Sequence, residues 1–387
     1  MNNIKKIKIG ITGQSGFIGS HLYNELGLDP EKYERILFKD DYFIRSELLN
    51  TFVRQCDVIV HLAAVNRHPY LEELYNTNVE LVKTLIKAML HENVRPHIFF
   101  SSSIQEDYDN PYGKSKREGC RLFEEWAHKY SASFTCMVIP NVFGPFGLPN
   151  HNSFISTFCH KLTHNEKPEI VNDTEVNLIY VSTLCRQIKS NIDDAINYAH
   201  QAISKKIIQP DFTKKVSEIL TLLHIFKGQY FEQGTIPYIS DFNDINLFNT
   251  FRSYIDLENY FPFALKKNVD ERGTFVETIK LRIGGQVSFS TTNPGFTRGN
   301  HYHIRKIERF TVIKGKALIQ LRQVGTEKIF SFYLNGENPS HIDMPVWFTH
   351  NITNIGKDDL YTQFWVNEWY DSANPDTFFE KVEIEKT

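Results

Sequence analysis

The sequence predicts an α/β domain built on a parallel sheet, followed by an all-β barrel. Two textures carry this expectation. From Lys6 to about Ile139, short runs rich in Ile, Val and Phe alternate with amphipathic stretches. Buried strands separated by helices form a parallel sheet covered on both faces. After Phe263, short runs of alternating polarity are punctuated by Gly, Pro and Asn, which is all-β spacing. A length of 387 residues suits two such cores better than one.

Taken in order, KIKIGIT, ERILF, DVIVHLAAV, HIFFSSS and FTCMVI are the expected strands of the first part. LEELYNTNVELVKTLIKAMLHE is an expected amphipathic helix between two of them. Residues 145–260 read as mostly helical, with one strand at LIYVS; they are expected to finish the sheet and form a substrate-binding lobe. The texture changes at NYFPFALKK, which sets the expected domains at 1–262 and 263–387. Beyond it, GQVSFSTT, ERFTVIKGKALIQLR, EKIFSFYL and DLYTQFWVNEW are the expected barrel strands.

Composition narrows the function. A net charge of -3 gives no broad attraction to nucleic acid or to an anionic membrane. The first apolar stretch, IKIGITG, is too short to span a bilayer, and no basic start leads into a signal-like apolar run. The five cysteines are odd in number, end at Cys185 and include no C-x-x-C. Reduced thiols in a cytoplasm are therefore expected.

TGQSGFIGSHL sets Gly13, Gly16 and Gly19 in a G-x-x-G-x-x-G spacing after a strand and at the start of a helix. Glycines there let the backbone approach a pyrophosphate at the positive end of the helix dipole. In PYGKSK, Tyr112 and Lys116 stand four apart, on one face of a helix. An ammonium beside the phenol is expected to lower its pKa, so that it can exchange a proton with a sugar oxygen during hydride transfer. Ser103, ending IFFSSS, supplies a hydroxyl for the same oxygen. The second strand ends FKDDYF: Asp40 would take the ribose hydroxyl of NAD, and Lys39 or the nearby Arg45 the phosphate of NADP.

The last third carries different chemistry. GNHYHIRKIE places His301 and His303 on one side of a strand, with Glu308 following, and PVWFTHNITN adds His350. Three imidazoles and a carboxylate suit Zn²⁺ or another borderline divalent metal. Lys306, Glu277 and Tyr302 are candidates for moving a proton beside it.

TGQSGFIG, HLAAVNR, SSS, PYGKSK and PNVFGP, in that order, resemble the extended short-chain dehydrogenase/reductase family over roughly residues 6–260. The resemblance implies a Rossmann-type sheet, a nucleotide-sugar substrate and Ser103, Tyr112 and Lys116 as the catalytic set. It implies cofactor contacts from Gly13, Gly16, Phe17, Ile18, Gly19, Lys39, Leu62, Ala63, Tyr112 and Lys116. Asn66, Ser103, Asn141 and Asn152 are the implied substrate contacts, and NADPH is the implied cofactor. The spacing around His301, His303, Glu308, Gly315 and His350 resembles the two motifs of the cupin superfamily, with Trp347 where a glycine is common.

The pairing of the two, with NVDERGTFVE and NEWYDSANPDTFF, resembles bifunctional capsule-precursor enzymes of the UDP-N-acetyl-L-fucosamine route. That resemblance implies C3 epimerisation of a UDP 4-keto sugar in the cupin, followed by C4 reduction in the first domain. Val138 stands where that family tends to place arginine, and Ile304 and Ile307 replace common polar residues. A homodimer without nucleic-acid or membrane partners is expected. The alternative is a reductase or 4-epimerase whose cupin is a structural or sugar-sensing module.

Overall fold

The computed structural model describes residues 5–197 and 203–384. The chain forms two compact units: residues 1–154 with 174–215, and residues 155–173 with 216–387. No helix among the described residues is long and apolar enough to cross a membrane.

The first unit alternates β1 (Ile7–Thr12), α1 (Phe17–Leu26), β2 (Tyr33–Ile36), α2 (Ser46–Gln55), β3 (Val58–His61), α3 (Leu71–His91), β4 (His97–Ser103), α4 (Pro111–Tyr130) and β5 (Phe134–Ile139). After β6 (Asn141–Phe143), α5 (Phe154–Thr163) enters the second unit at Ile155. The chain returns as β7 (Glu175–Tyr180), α6 (Val181–Asn197), β8 (Ile203–Ile207) and β9 (Phe212–Lys215). The expected strand at LIYVS thus ends at Tyr180, and Val181 begins a helix.

Six strands pair in parallel in the order β2-β1-β3-β4-β5-β8. Their apolar runs are continuous because both faces are buried. Ile9, Ile11, Val58, Val60, Phe99 and Met137 pack with α1 and α6. Ile59, Ile98, Phe100 and Cys136 pack with α2, α3 and α4. The order reverses between β1 and β3, so the carboxyl ends of these two strands flank the crevice where open α/β sheets take their ligands.

Besides α5, the second unit holds α7 (Val216–Phe226), α8 (Phe242–Arg252) and α9 (Leu257–Tyr260). The strands start at the texture change: β10 (Phe263–Ala264), β11 (Lys267–Asp270), β12 (Gly273–Val276), β13 (Gln286–Thr292), β14 (Thr297–Tyr302), β15 (Glu308–Lys314) and β16 (Lys316–Gln323). They continue as β17 (Ile329–Asn335), β18 (Ser340–Met344), β19 (Phe348–Asn354), β20 (Leu360–Val366) and β21 (Phe378–Phe379). Two antiparallel sheets, β10-β18-β15-β20-β13 and β17-β16-β19-β14-β21, make the all-β fold, with β11-β12 as a separate hairpin.

Buried polar bonds fasten the helices to the strands within this unit. Tyr230 Oη donates to Asp343 at 2.8 Å, and Arg309 Nη1 to the Gly234 carbonyl at 2.8 Å. Arg309 also forks onto Asp343 through Nε and Nη2, at 2.6 and 2.8 Å. Removing one member of so buried a pair typically costs about 3–5 kcal/mol, because the other charge is left uncompensated.

One expectation needs correction. Cys120 and Cys136 form a disulfide between α4 and β5, where reduced thiols were expected; Cys56, Cys159 and Cys185 are free and buried. The two lie 16 residues apart in sequence, and packing of α4 beside β5 brings their Cα atoms to 6.1 Å.

Candidate active site and metal centre

The glycine loop closes on itself at the end of β1. Gly13 has φ +70°, and the Gly16 amide donates to its carbonyl at 3.0 Å. A side chain at Gly13 would meet the Ala63 backbone, and one at Gly19 the Gly13 carbonyl. Glycine is therefore required where β1, β3 and α1 meet. Gly16 caps α1 without any side-chain bond, so the helix keeps amide donors for an anion. Leu62, Ala63 and Asn66 follow β3, and Asn78 of α3 pins this loop by accepting from Val65 N at 2.7 Å and donating to Val65 O at 2.9 Å.

Ser103 ends β4 and begins a tight turn, its hydroxyl accepting from the Gln105 amide at 3.2 Å. Asn110 caps α4 by accepting from Gly113 N, with Pro111 in the first turn. A side chain at Gly113 would collide with the Gln105 carbonyl, so the turn after Ser103 lies directly against the turn that carries Tyr112. Asn141, on β6, and Asn152, before α5, are both exposed.

The electrostatics differ from the expectation of an acidified tyrosine. Lys116 is buried and donates to Ser101 Oγ at 3.4 Å, with Nζ 5.5 Å from the centre of the Tyr112 ring. Burial pushes Tyr112 up to about 12 and Lys116 down to about 7. Desolvation of both groups outweighs their attraction in the cofactor-free protein. The free protein accordingly binds fewer protons at Lys116 than the unfolded chain does between about pH 7 and the ordinary value of 10.5, so stability rises with pH across that window. Lys116→Met should raise the thermal midpoint of cofactor-free protein at pH 7, flatten that pH dependence and weaken nicotinamide binding. Calorimetry from pH 6 to 10 would contradict this if the mutant melted lower at every pH.

The second centre is assembled from three strands. His301 lies on β14, His303 is the first residue beyond it, Glu308 begins β15 and His350 lies on β19. Their ligand atoms all fall within 4.8 Å of one another. Glu308 Oε2 is 3.1 Å from His303 Nε2 and 3.3 Å from His350 Nε2. His350 Nδ1 donates to the Phe348 carbonyl and His303 Nδ1 to the Asp376 carbonyl. Both Nε2 atoms therefore converge on one carboxylate oxygen, a place where a cation would find donors. His350 Nε2 is buried with no hydrogen bond.

Burial, aided by His350 and His303, holds His301 down at about 4. Burial alone would raise Glu308, but the imidazoles of His303 and His350 beside it hold it well below the usual carboxylate range. Against its burial, Glu308 in turn holds His303 above the usual imidazole range, so an ion bound here would take the place of the His303 proton. With three imidazoles and an ionised carboxylate, the donor set fits a divalent ion.

Comparison with known proteins adds the family. Residues 9–189 match the NAD dependent epimerase/dehydratase family and residues 268–378 the polysaccharide biosynthesis C-terminal domain. UDP-2-acetamido-2,6-beta-L-arabino-hexul-4-ose reductase of Pseudomonas aeruginosa is 33% identical over 377 residues, covering 96% of this chain and 98% of its own. The crystal structure of the capsular polysaccharide assembling protein CapF from Staphylococcus aureus is 36% identical, with a TM-score of 0.60, over 97% of this chain and all of that one. The chain belongs to the family of that reductase and CapF. A UDP-glucose 4-epimerase of Thermotoga maritima, 19% identical over 64% of this chain and 98% of its own with a TM-score of 0.53, shares the fold.

The residues that the sequence singled out beside the motifs take definite places in the fold. Trp347 takes φ +62°, a left-handed conformation that favours glycine, and is buried in a stack on Tyr302 at 5.6 Å. Val138 sits inside the sheet between Ser102 and Ile207. Of the proton-transfer candidates, Tyr302 is stacked between Trp347 and Phe378, and Lys306 donates to the Pro375 carbonyl at 2.6 Å. Glu277 is exposed and paired with Lys280. Sequence reading missed the polar groups of β13. Register places Ser288 opposite Phe364, which also faces Phe310; Ser290 opposes Thr362, and Gln286 opposes Val366, the partner of Glu308. Their alternation along GQVSFSTT was the available signal.

Proposed function

We propose that the protein is a bifunctional nucleotide-sugar enzyme of capsule-precursor synthesis. Its β-barrel inverts C3 of a UDP-2-acetamido-2,6-dideoxy-4-keto-hexose. Its first unit then reduces the C4 ketone with NADPH, giving a product of the UDP-6-deoxy-N-acetyl-L-talosamine type. The observation that carries this reading is the presence, in one chain, of a serine–tyrosine–lysine constellation and a His₃Glu centre in a full-length relative of a UDP-keto-sugar reductase.

The chemistry fixes the order. The hydrogen on C3 is acidic only while C4 is a ketone, because the resulting negative charge spreads onto the carbonyl oxygen. Reduction removes that activation and traps the new configuration. His301, His303, Glu308 and His350 would hold the divalent ion, Zn²⁺ being the best fit; when bound, it supplies Lewis-acid stabilisation of charge developing on the substrate. In the first unit, Ser103 holds the C4 oxygen and Tyr112 delivers its proton, while Lys116 holds the nicotinamide ribose. A bound nicotinamide supplies the hydride. Asn66, Asn141 and Asn152 are the proposed substrate contacts, and Phe17, Ile18, Leu62 and Ala63 line the cofactor crevice.

NADPH is proposed over NADH because Asp40 is already engaged by Ser15 Oγ at 2.7 Å, whereas Lys39 is exposed at the end of the same loop. Arg45 is paired with Asp41 at 3.4 Å. Lys39→Ala should narrow the rate difference between NADPH and NADH; an unchanged ratio removes Lys39 from the 2′-phosphate. The nicotinamide and UDP-sugar chemistry fits a cytoplasmic enzyme. A homodimer is read from the apolar edge of the second unit: Phe289 on edge strand β13 is 73% exposed, and Val269 and Phe275 on the β11-β12 hairpin are 70% and 66% exposed.

The whole reading is tested by supplying the UDP 4-keto sugar in heavy water. Without NADPH, deuterium should enter C3; with it, NMR should show one C4-reduced product carrying deuterium at C3. NADPH oxidation without C3 deuterium would reduce the protein to a simple reductase.

A further inference from the structure

We infer that Asp376 is a positioning residue of the metal centre, setting the His303 ring for ligation. The inference rests on the metal reading above and assigns a role to a residue far from the four ligands in sequence. Asp376 lies in the segment after β20 and is 3% exposed. Its carboxylate accepts three consecutive main-chain amides: Oδ1 from Ile304 at 3.1 Å, and Oδ2 from Arg305 at 3.1 Å and Lys306 at 2.9 Å. Its own carbonyl accepts from His303 Nδ1. One residue thus holds both the imidazole and the backbone immediately following it.

A carbonyl oxygen only accepts, so the bond keeps a proton on Nδ1 and leaves Nε2, aimed at Glu308 Oε2, as the nitrogen that would ligate an ion in exchange for its own proton. The other two histidines are oriented locally. His350 uses the carbonyl of Phe348 and His301 a main-chain bond to Gly299, each two residues away on its own strand. His303 stands beyond the end of β14 and has no such strand neighbour; its anchor comes from 73 residues downstream. Outer partners of this kind set both the tautomer and the orientation of a ligating histidine.

The segment itself has other fastenings. Arg305 bonds Glu368 at 2.9 and 3.3 Å and Asn374 at 2.9 and 3.0 Å, while Ile307 N donates to Asn367 at 2.8 Å. Any substitution at position 376 keeps the carbonyl that anchors His303, so it acts by freeing the amides of Ile304, Arg305 and Lys306 and with them the placement of that carbonyl. Glu368 instead reaches the segment through the side chains of Arg305 and Lys306.

The test uses full-length protein and Zn²⁺ alone as the probe. Chelator competition measures affinity, and thermal midpoints are taken with and without the ion. Asp376→Ala should weaken zinc about 10–100-fold and shrink the rise in midpoint that zinc produces. Asp376→Asn, which keeps an acceptor oxygen, should recover part of both. Glu368→Gln loosens the same segment without touching His303 and should bind zinc as the parent does. Wild-type zinc affinity in both Asp376 variants would overturn the inference, as would an equal loss in Glu368→Gln. A parent protein that binds no zinc would instead defeat the metal reading, so the two failures are distinguishable.

Discussion

Tyr112→Phe should abolish reduction of the 4-keto sugar while leaving exchange at C3 intact. In the proposed mechanism the phenol delivers a proton to the C4 oxygen, and losing a positioned acid of this kind typically costs about 10²–10⁴-fold. In the cofactor-free protein, burial holds the hydroxyl protonated, pushed up to about 12, which is the form needed for donation. The ring is removed from neither the helix nor its packing, so cofactor affinity should change little. On the proposed function, C3 exchange rests with the His₃Glu centre of the second unit, so it should proceed at the parental rate. NADPH oxidation and deuterium uptake, followed in parallel, decide the matter. A mutant that consumes NADPH at near-normal rate removes Tyr112 from its role.

His301→Ala should empty the metal centre and stop C3 exchange. Three ligands would remain, but the ring lost stacks edge-on against both His303 and His350, at 5.1 and 4.6 Å. Loss of an outer partner alone costs metal affinity about 10–100-fold, so loss of a ligand should cost more. Elemental analysis should fall from one ion per chain to far below it. The thermal midpoint of the second unit should fall as well, because β14, β15 and β19 would lose their common tie. Nicotinamide binding should survive. Metal-free parental protein that still exchanges C3 would leave the histidines as acid–base groups.

Much of both sites was legible because it is written at short range. The glycine spacing, the four-residue step from Tyr112 to Lys116 and the two-residue step from His301 to His303 each report one element's periodicity. What could not be read depends on packing. Whether Lys116 would acidify Tyr112 turned on burial of Lys116 against Ser101 and Phe100 of β4 and on desolvation of the Tyr112 hydroxyl. The Cys120–Cys136 bond depends on α4 lying beside β5. Lys306 and Tyr302 looked available for proton transfer until the segment after β20 engaged one and an aromatic stack enclosed the other.

By itself the sequence determined the two textures, the order of the strands along the chain and the four residues able to ligate a metal. Hydrophobic period and donor chemistry are properties of neighbouring residues, so they survive without coordinates. Only the tertiary structure decided that the helices from Val216 to Tyr260 pack with the barrel, through Arg309, Asp343 and Tyr230. It alone decided that Asp376 reaches back to His303. These contacts join residues from 34 to 113 positions apart, and no local pattern encodes such a distance. They exist because antiparallel sheets bring distant segments together, and because buried charges and amides must find partners wherever the fold provides them.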